Sequence, residues 1–141
     1  MQLKNLVFIS AFLAVLFVVS GCSTGGMFTA GNLTDVQLQK GNYKIVLRGV
    51  SGESSAAYLL GFTAPMGMAT STMALVRVDG TGMLYKEALD NLWKNYEAAN
   101  GPAEGKKLAL INVHYDSDAL NLFVYTQAKL IIRADIVEFT D

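Results

Sequence analysis

The first 23 residues constrain this chain most, because their pattern is that of an export signal and not of a folded element. Lys4 gives a positive start, residues 6–19 carry no charge over fourteen positions, and small residues follow up to Ser23. This order of charged, apolar and small segments is typical of a secretory signal peptide. As a helix, fourteen residues rise only about 21 Å, whereas the hydrocarbon core of a membrane is about 30 Å thick. The pattern therefore favours export over a membrane-spanning anchor.

The end of this segment, Val19-Ser20-Gly21-Cys22, resembles the lipobox of bacterial lipoproteins, with an aliphatic residue and two small ones before a cysteine. The resemblance implies cleavage before Cys22, diacylglycerol on its thiol and acylation of the new amino group. Since each buried methylene contributes about 0.8 kcal/mol, several acyl chains hold a protein firmly on a bilayer. The alternative is a plain secretory signal that leaves a free thiol at Cys22. A catalytic role for that thiol is a weaker hypothesis still.

The predicted organisation is a cleaved lipoprotein signal peptide at 1–21, a flexible tether at 22–31 and a single domain at 32–141. The tether is rich in glycine and carries no charge, which is typical of a flexible coil. Cleavage leaves 120 residues, a size that usually forms one domain and buries about two-thirds of its unfolded surface.

Localisation is predicted from the residues that follow Cys22. In some bacterial lipoproteins an aspartate after the lipidated cysteine retains the protein at the inner membrane, and this chain has Ser23 there. An acidic cluster marks export to the cell surface in some bacteria, and none follows Cys22. We therefore expect a lipid-anchored protein at the outer membrane that faces the periplasm.

Charge and cysteine usage argue against several classes of protein. The chain has 11 basic and 12 acidic residues, and removal of Lys4 with the signal peptide leaves ten against twelve, a net charge of −2. Nucleic-acid binders cluster Lys and Arg on one face, whereas here they are scattered among acids, so no nucleic-acid partner is expected. Cys22 is the only cysteine. With lipid on it, none remains for a disulfide, a zinc site or a thiol nucleophile.

The pattern after the tether predicts an α+β fold, an antiparallel or mixed curved sheet of five to seven strands with one amphipathic helix packed on a face. The helix is predicted at Met83–Ala99, because apolar residues recur there every four positions. These are Leu84, Ala88, Leu92 and Tyr96. Thr81 or Asp79 is predicted to cap its start, and Gly101-Pro102 to end it.

Alternating and β-branched residues predict the strands. They fall at 33–38 (weakly), 43–50, 56–62, 73–78, 108–115 and 120–139, the last as one long strand or two. Gly49 and Gly52 are predicted to interrupt or end the second of them, which suggests a bulge or bend. A loop is predicted at 64–72, and a turn at Asp116-Ser117-Asp118.

The polar residues Asn112, His114 and Asp116 alternate along one predicted strand and would share a face. They form a weak candidate for a metal or acid/base site. One imidazole is little for zinc or iron, which take three or four firm ligands. The simpler interpretation is a solvated outer face at a strand end. No metal, other cofactor or catalytic residue is therefore predicted.

Three further patterns are weaker. Met66, Met68 and Met73 offer thioether sulfurs to Cu(I), but methionine is also an ordinary flexible filler of apolar space. The segment 49–55 lacks the lysine of a phosphate-binding loop, and its serines have no histidine and aspartate partners for a triad. Glu53 with Glu87 or Asp116 would make a carboxylate pair, although nothing in their spacing brings them together.

Four segments, Tyr43-Lys44-Ile45-Val46, Val50-Ser51-Gly52-Glu53-Ser54, 109–113 and 134–139, resemble small bacterial lipoproteins of unknown function. These are akin to the tRNA-associated-locus-like lipoproteins and, distantly, to the YbjQ-like fold of the Rcs envelope-stress sensor lipoprotein. The resemblance implies one helix against a curved sheet, and assembly into a ring or another oligomer. This chain lacks the sensor's disulfides, and Gly80 and Gly82 alone remain of its glycine-rich stretch. Disulfide-dependent sensing is therefore not carried over, and ring assembly stays open.

The expected function is that of a non-enzymatic, membrane-anchored periplasmic lipoprotein that acts through contacts with an envelope protein, in envelope maintenance or stress sensing. The alternative is a small-ligand or metal-binding lipoprotein that uses Asn112, His114 and Asp116 or the methionine loop. A hydrolase is disfavoured because the sequence lacks the partners such chemistry needs.

Overall fold

The computed structural model describes residues 22–30, 38, 41–66, 69–122 and 124–140. The elements in chain order are β1 (Cys22–Ala30), β2 (Tyr43–Met66), β3 (Ala69–Asp79), α1 (Leu84–Asn100), β4 (Leu108–Leu122) and β5 (Tyr125–Phe139). The strands form one antiparallel sheet in the order β1-β4-β5-β2-β3. The predicted α+β class, with one helix on an antiparallel sheet, is confirmed.

The strands of the predicted domain are fewer and longer than the sequence indicates. Between residues 32 and 141 the structure has four described strands, β2 to β5, where five to seven were expected. The bulge or bend predicted at Gly49 is confirmed, because this residue has φ of +64° and the pairing register shifts between Leu47 and Val50. The predicted turn at Asp116-Ser117-Asp118 is wrong, since all three residues pair with β5 inside β4.

The N-terminal strand β1 occupies the segment for which the sequence predicts a flexible tether. Cys22 pairs with Asn121 and Ala30 with His114, so the segment runs along β4 as an edge strand. The register shifts between Thr24 and Met27, and this irregularity falls at the two adjacent glycines that suggested flexibility. The predicted signal peptide at 1–21 lies outside the described residues. So does the weak strand at 33–38, apart from Leu38, which is exposed.

Helix α1 follows the predicted stripe. Its buried residues are Leu84, Ala88, Leu92 and Tyr96. Gly101 ends it with φ of +74°, a value that favours glycine, and its N–H donates to the Glu97 carbonyl at 2.9 Å. At the other end, the Thr81 hydroxyl accepts from the Met83 N–H at 3.1 Å and donates to Glu87 Oε1 at 2.6 Å. Thr81 thus assists the helix start, whereas Asp79 is the last residue of β3.

The core lies between α1 and the inward faces of β2, β4 and β5. Ile132 and Ile136 of β5 are fully buried with Leu92 and Tyr96 of the helix. Gly52 lies inside β2, opposite Ile132, and the sequence prediction that it ends or bends the strand is wrong. A Cβ built on Gly52 would lie 2.1 Å from the Ala88 carbonyl oxygen and 2.2 Å from the Leu92 nitrogen. The glycine therefore lets the helix backbone rest directly on the strand.

Candidate functional site

The helix edge meets a stretch of β2 that has a described strand on one side only, because β5 pairs with it whereas β3 pairs with β2 only from Ala57 onward. Two asparagines of α1 donate hydrogen bonds to backbone carbonyl groups on this edge. Asn91 Nδ2 donates to the Glu53 carbonyl at 2.8 Å, and Asn95 Nδ2 donates to the Ser51 carbonyl at 2.7 Å. Four helical residues rise about 6 Å and two strand residues about 6.6 Å, so the two spacings match.

This asparagine pair protects the sheet edge from pairing with another chain. Sequence reasoning missed it, because the periodicity identifies only the apolar stripe of the helix and gives no role to Asn91 and Asn95 beside it. Their spacing of four residues, beside the apolar stripe, was the signal that could have suggested a contact along a strand.

A polar cleft of about 610 Å³ lies beside this contact. It is lined by Glu53, Ser54, Ser55, Glu87, Asp90, Asn91, Lys94, Gln127 and Lys129. The fold thus brings Glu53 and Glu87 to one cleft, which their spacing could not indicate. Glu53 pairs with Lys129 at 2.9 Å and Asp90 with Lys86 at 2.5 Å, while Glu87 accepts the Thr81 hydroxyl. Each carboxylate is therefore already engaged by a neighbour.

The predicted polar face of β4 is divided by a bulge. Asn112 has φ of +51°, and the pairing with β5 shifts between Ile111 and His114. His114 and Asp116 do lie on one face, since they alternate with the buried residues Val113 and Tyr115. Asn112 donates from Nδ2 to Asp135 Oδ2 at 2.9 Å. His114 also lies close enough to act electrostatically on the Asp135 carboxylate, and Asp116 lies on the same face of β4 as His114.

The carboxylate of Asp135 joins two bulges across the sheet. Its Oδ1 accepts the Gly49 N–H of β2 at 2.8 Å, while its Oδ2 holds Asn112 of β4. The hydrogen bond from Asn112 lowers the pKa of Asp135 below its ordinary value; the Gly49 N–H and nearby Arg48 act in the same direction, and partial burial opposes them. This cluster has a clear structural role, which is to fix the bends of β2 and β4.

Asp135→Asn is expected to lower the free energy of unfolding at pH 7 by about 1–2 kcal/mol, because an amide presents a donor to the Asn112 amide and forms weaker bonds than a carboxylate. The pKa of Asp135 is lower in the folded protein than in the unfolded chain, so its stabilisation is present above about pH 4 and is lost as pH falls through the folded pKa. Urea unfolding at neutral and acid pH measures both effects.

The control for this variant is Glu104→Gln, which removes one negative charge at an exposed residue. The difference between wild type and Asp135→Asn is expected to shrink in acid, where the wild-type carboxylate is protonated as well. A difference that stays constant from neutral to acid pH would contradict the assignment.

The other candidate site residues from the sequence lie in separate parts of the described structure. The Ser54 hydroxyl is buried and donates to the Leu84 carbonyl at 2.6 Å, so it serves the contact between helix and strand. Met66 and Met73 lie on paired strands, Met66 at the end of β2 and Met73 exposed on β3. Met68 lies outside the described residues. Among the described side chains, no group of three or more His, Cys, Asp or Glu is placed to hold a metal ion.

The β2–β3 ribbon, residues 59–66 and 69–76, is the most apolar exposed part of the described structure. Phe62 and Met73 pair across it and are 59% and 82% exposed, and Leu75 is 77% exposed. Single exposed apolar residues are ordinary on protein surfaces, whereas a contiguous group indicates a contact with a protein or a membrane. Sequence reasoning divided this ribbon into two short strands and a loop, and so missed the patch.

The ribbon is fastened to the tip of the β4–β5 hairpin. The Leu60 N–H donates to the Val124 carbonyl at 3.1 Å. Asn121 uses both ends of its amide, because Oδ1 accepts the Thr63 N–H at 2.7 Å and Nδ2 donates to the Thr63 carbonyl at 2.8 Å. Thr126 also donates to the Asn121 side chain. The ribbon and the hairpin tip therefore form one continuous surface.

One end of the sheet is built from sequence without charge. Residues 22–30, 57–76 and 119–128 contain no Asp, Glu, Lys or Arg. The register joins these three stretches, since Cys22 pairs with Asn121 and Leu59 with Tyr125. We call this the uncharged end. The signal was present in the sequence as three charge-free stretches, but only the strand pairing places them side by side.

Comparison with known proteins gives a family match. A family model described as a family of unknown function (DUF6567) matches residues 1–141. No curated protein and no solved structure matches the chain. Within the part of the chain that the structure describes, no helix is both long and apolar enough to cross a membrane.

Proposed function

The chain belongs to the family of unknown function DUF6567. From its own residues, we propose that it is a lipid-anchored protein that acts through contacts with an envelope protein. The anchor is lipid on Cys22, and the domain faces the periplasm from the outer membrane. The proposed role is non-enzymatic, in envelope maintenance or stress sensing. Kinship with small bacterial lipoproteins and the YbjQ-like fold is part of the proposal.

The observation that carries the proposal is the sequence up to Cys22. A positive start, a charge-free run and small residues directly before the only cysteine are the pattern that lipoprotein processing needs.

A role in binding is supported by what the polar side chains do. Asn112 and Asp135 hold two bulges, Ser54 bonds the helix, and Asn91 and Asn95 cover a strand edge. Each of these groups is engaged in holding the fold. The charged surface along α1, which includes Glu87 and Lys94 beside the cleft, offers an envelope protein both signs of charge.

Cys22→Ser is expected to abolish incorporation of labelled palmitate when the full chain is expressed in a bacterium that processes lipoproteins. A serine hydroxyl lacks the nucleophilic thiolate that takes up the diacylglycerol group. Autoradiography of the immunoprecipitated protein measures the effect. Ser23→Ala is the matched control, because it changes the next residue and leaves the thiol, so it should be labelled like wild type. Equal label on Cys22→Ser and wild type would rule out the proposed anchor.

The contact role is tested by photo-crosslinking in cells. A photoreactive amino acid at Lys94, beside the cleft, is expected to give a discrete adduct with an envelope protein. The same group at Glu104, on the exposed segment between α1 and β4, is the control for random collisions. Adducts of the same pattern and yield at both positions would contradict a specific partner on the helix surface.

The cleft supports a second candidate function, the binding of a small polar ligand. Its volume of about 610 Å³ falls in the range of ligand pockets, about 300–1,000 Å³. Native mass spectrometry of the protein purified from its host distinguishes this candidate, because a bound molecule adds a fixed mass. That added mass should disappear in Lys129→Met if the cleft holds the ligand. A purified protein of the bare chain-plus-lipid mass favours the contact role.

A further inference from the structure

The position of Cys22 fixes which end of the domain would lie nearest a membrane. Because residues 22–30 are paired along β4 instead of forming a tether, little chain separates the acyl groups from the sheet. Cys22 lies opposite Asn121, and the hairpin tip begins one residue later, at Leu122. Lipid on Cys22 would therefore hold this end of the sheet at the bilayer surface.

The same end carries several of the exposed apolar side chains, including the two most exposed ones described, Met73 and Leu75. Phe62, Met73 and Leu75 of the β2–β3 ribbon project into solvent, and Leu60 and Val124, joined by a backbone hydrogen bond, are each about half exposed. Leu60, Met73 and Leu75 also line a small apolar hollow on this surface. These residues belong to two stretches that carry no charge, and the third such stretch begins at Cys22.

Charged residues begin beyond the uncharged stretches: on β3 the first is Arg77, two residues after Leu75, and on β4 it is Asp118. On β5 the first is Lys129, four residues beyond Tyr125, or about 13 Å at the rise of a strand. It pairs with Glu53, next to the cleft. The hydrocarbon of a bilayer excludes charges, whereas apolar side chains enter it from the headgroup boundary. The sheet has the matching arrangement, with exposed apolar side chains at the uncharged end and charged groups farther away.

We propose that the uncharged end of the sheet is a membrane-docking surface, on which the β2–β3 ribbon and the hairpin tip enter the boundary between lipid headgroups and acyl chains. The inference rests on the proposed function, because the lipid on Cys22 supplies the orientation. With no Lys or Arg in the three stretches, docking depends on apolar contact and does not require anionic lipid. A second copy of the chain on the β3 edge is the competing occupant, but it would leave Val124 and Leu60 at the tip uncovered.

The test uses the full chain, purified with its lipid and reconstituted into zwitterionic phosphatidylcholine vesicles. Single cysteines at Met73 and Leu75 carry an environment-sensitive fluorophore, and Lys94→Cys on α1 is the matched exposed control. Wild type receives the same dye, and it should take up none because the Cys22 sulfur is blocked by lipid. Vesicles with and without a nitroxide on the acyl chains show whether the dye contacts hydrocarbon.

The dyes at Met73→Cys and Leu75→Cys are expected to shift to the blue and to lose about half of their emission to the nitroxide, because interfacial groups sit about 5–10 Å into the boundary. The dye at Lys94→Cys should do neither, and high salt should change nothing. Water-like emission at all three positions, with no dye on wild type, would contradict the docking surface. It would not contradict lipid on Cys22.

Two other outcomes also count against the proposal. Dyes at Met73→Cys and Leu75→Cys that are blue-shifted but unaffected by the nitroxide, together with covalent dimers after crosslinking, would assign the ribbon to a second copy of the chain. Dye on wild-type Cys22 would show a free thiol. This result would contradict lipid on Cys22 and, with it, the proposed orientation of the sheet at the membrane. The first of these outcomes leaves the proposed anchor intact, and the second does not.

Discussion

Gly52→Ala is expected to lower the free energy of unfolding by about 3 kcal/mol, at the upper end of what overpacking usually costs. The added Cβ would lie 2.1 Å from the Ala88 carbonyl oxygen and 2.2 Å from the Leu92 nitrogen. Both are backbone atoms in the middle of α1, so no rotamer change relieves the overlap. The helix has to move away from β2, which loosens the contacts of Leu92 and Tyr96 with the core.

Two neighbours provide the controls for this variant. Ser51→Ala changes a residue on the opposite face of β2, next to the glycine, and should cost less than about 1 kcal/mol because the Ser51 carbonyl still accepts from Asn95. Gly49→Ala adds a Cβ that meets nothing within 4 Å but lies at φ of +64°. It should cost about 1–2 kcal/mol, because a left-handed conformation is strained in alanine.

Urea unfolding followed by circular dichroism measures all three variants, and Gly52→Ala is expected to be the least stable. A substitution of Ala88 by glycine should not rescue it, because the atom that the new Cβ meets is a carbonyl oxygen. If Gly52→Ala proves as stable as Ser51→Ala, the close approach of the helix to the strand is wrong.

Gly52 also illustrates what the sequence could not supply. A glycine within alternating residues indicates either an interruption of the strand or a close backbone approach, and local pattern cannot choose between them. The choice depends on α1, which begins more than thirty residues later. The helix itself was predictable, because its stripe of four buried residues repeats within one segment and needs no distant partner.

The residues of the candidate site were predictable to different degrees, because some depend on local geometry and others on contacts between distant segments. Alternation correctly placed His114 and Asp116 on one face, since two successive steps along a strand are local geometry. The bulge at Asn112 was not predicted, because a single residue of positive φ shifts the register, and an asparagine that adopts this conformation looks like any other in the sequence. The pairing of Asn112 with Asp135 spans 23 residues and needs the sheet order to be known.

The separation of charged from uncharged residues along the sheet arises only when the strands assemble, and no single segment shows it. Charged residues in 31–56 separate the first charge-free stretch from the second, and the charged helix and the first part of β4 separate the second from the third. The three stretches become one surface only because β1, β4, β5 and β2 are neighbours in the sheet. Each stretch alone is too short or too mixed to suggest a membrane contact, so function here depends on topology.

Leu92→Ala is the second large expected effect, a loss of about 2–5 kcal/mol in the free energy of unfolding. Leu92 is fully buried, and its backbone is the part of α1 that touches Gly52. Truncation leaves a cavity that this site can close only poorly, because the glycine opposite has no side chain to fill it and Ile132 is fixed within the sheet. A cost in the upper half of the range is therefore expected.

The matched controls are two other positions on the same helix. Lys94→Ala is exposed and should change stability by less than about 0.5 kcal/mol, since alanine keeps the helix propensity high. Leu89→Ala, at a partly buried residue packed against the core, should fall between the two. Equilibrium urea unfolding measures these losses in the free energy of unfolding. The expected order, from largest to smallest, is Leu92→Ala, Leu89→Ala and Lys94→Ala. If Leu89→Ala costs as much as Leu92→Ala, the helix is rotated on the sheet, and the asparagines that cover the β2 edge would no longer face it.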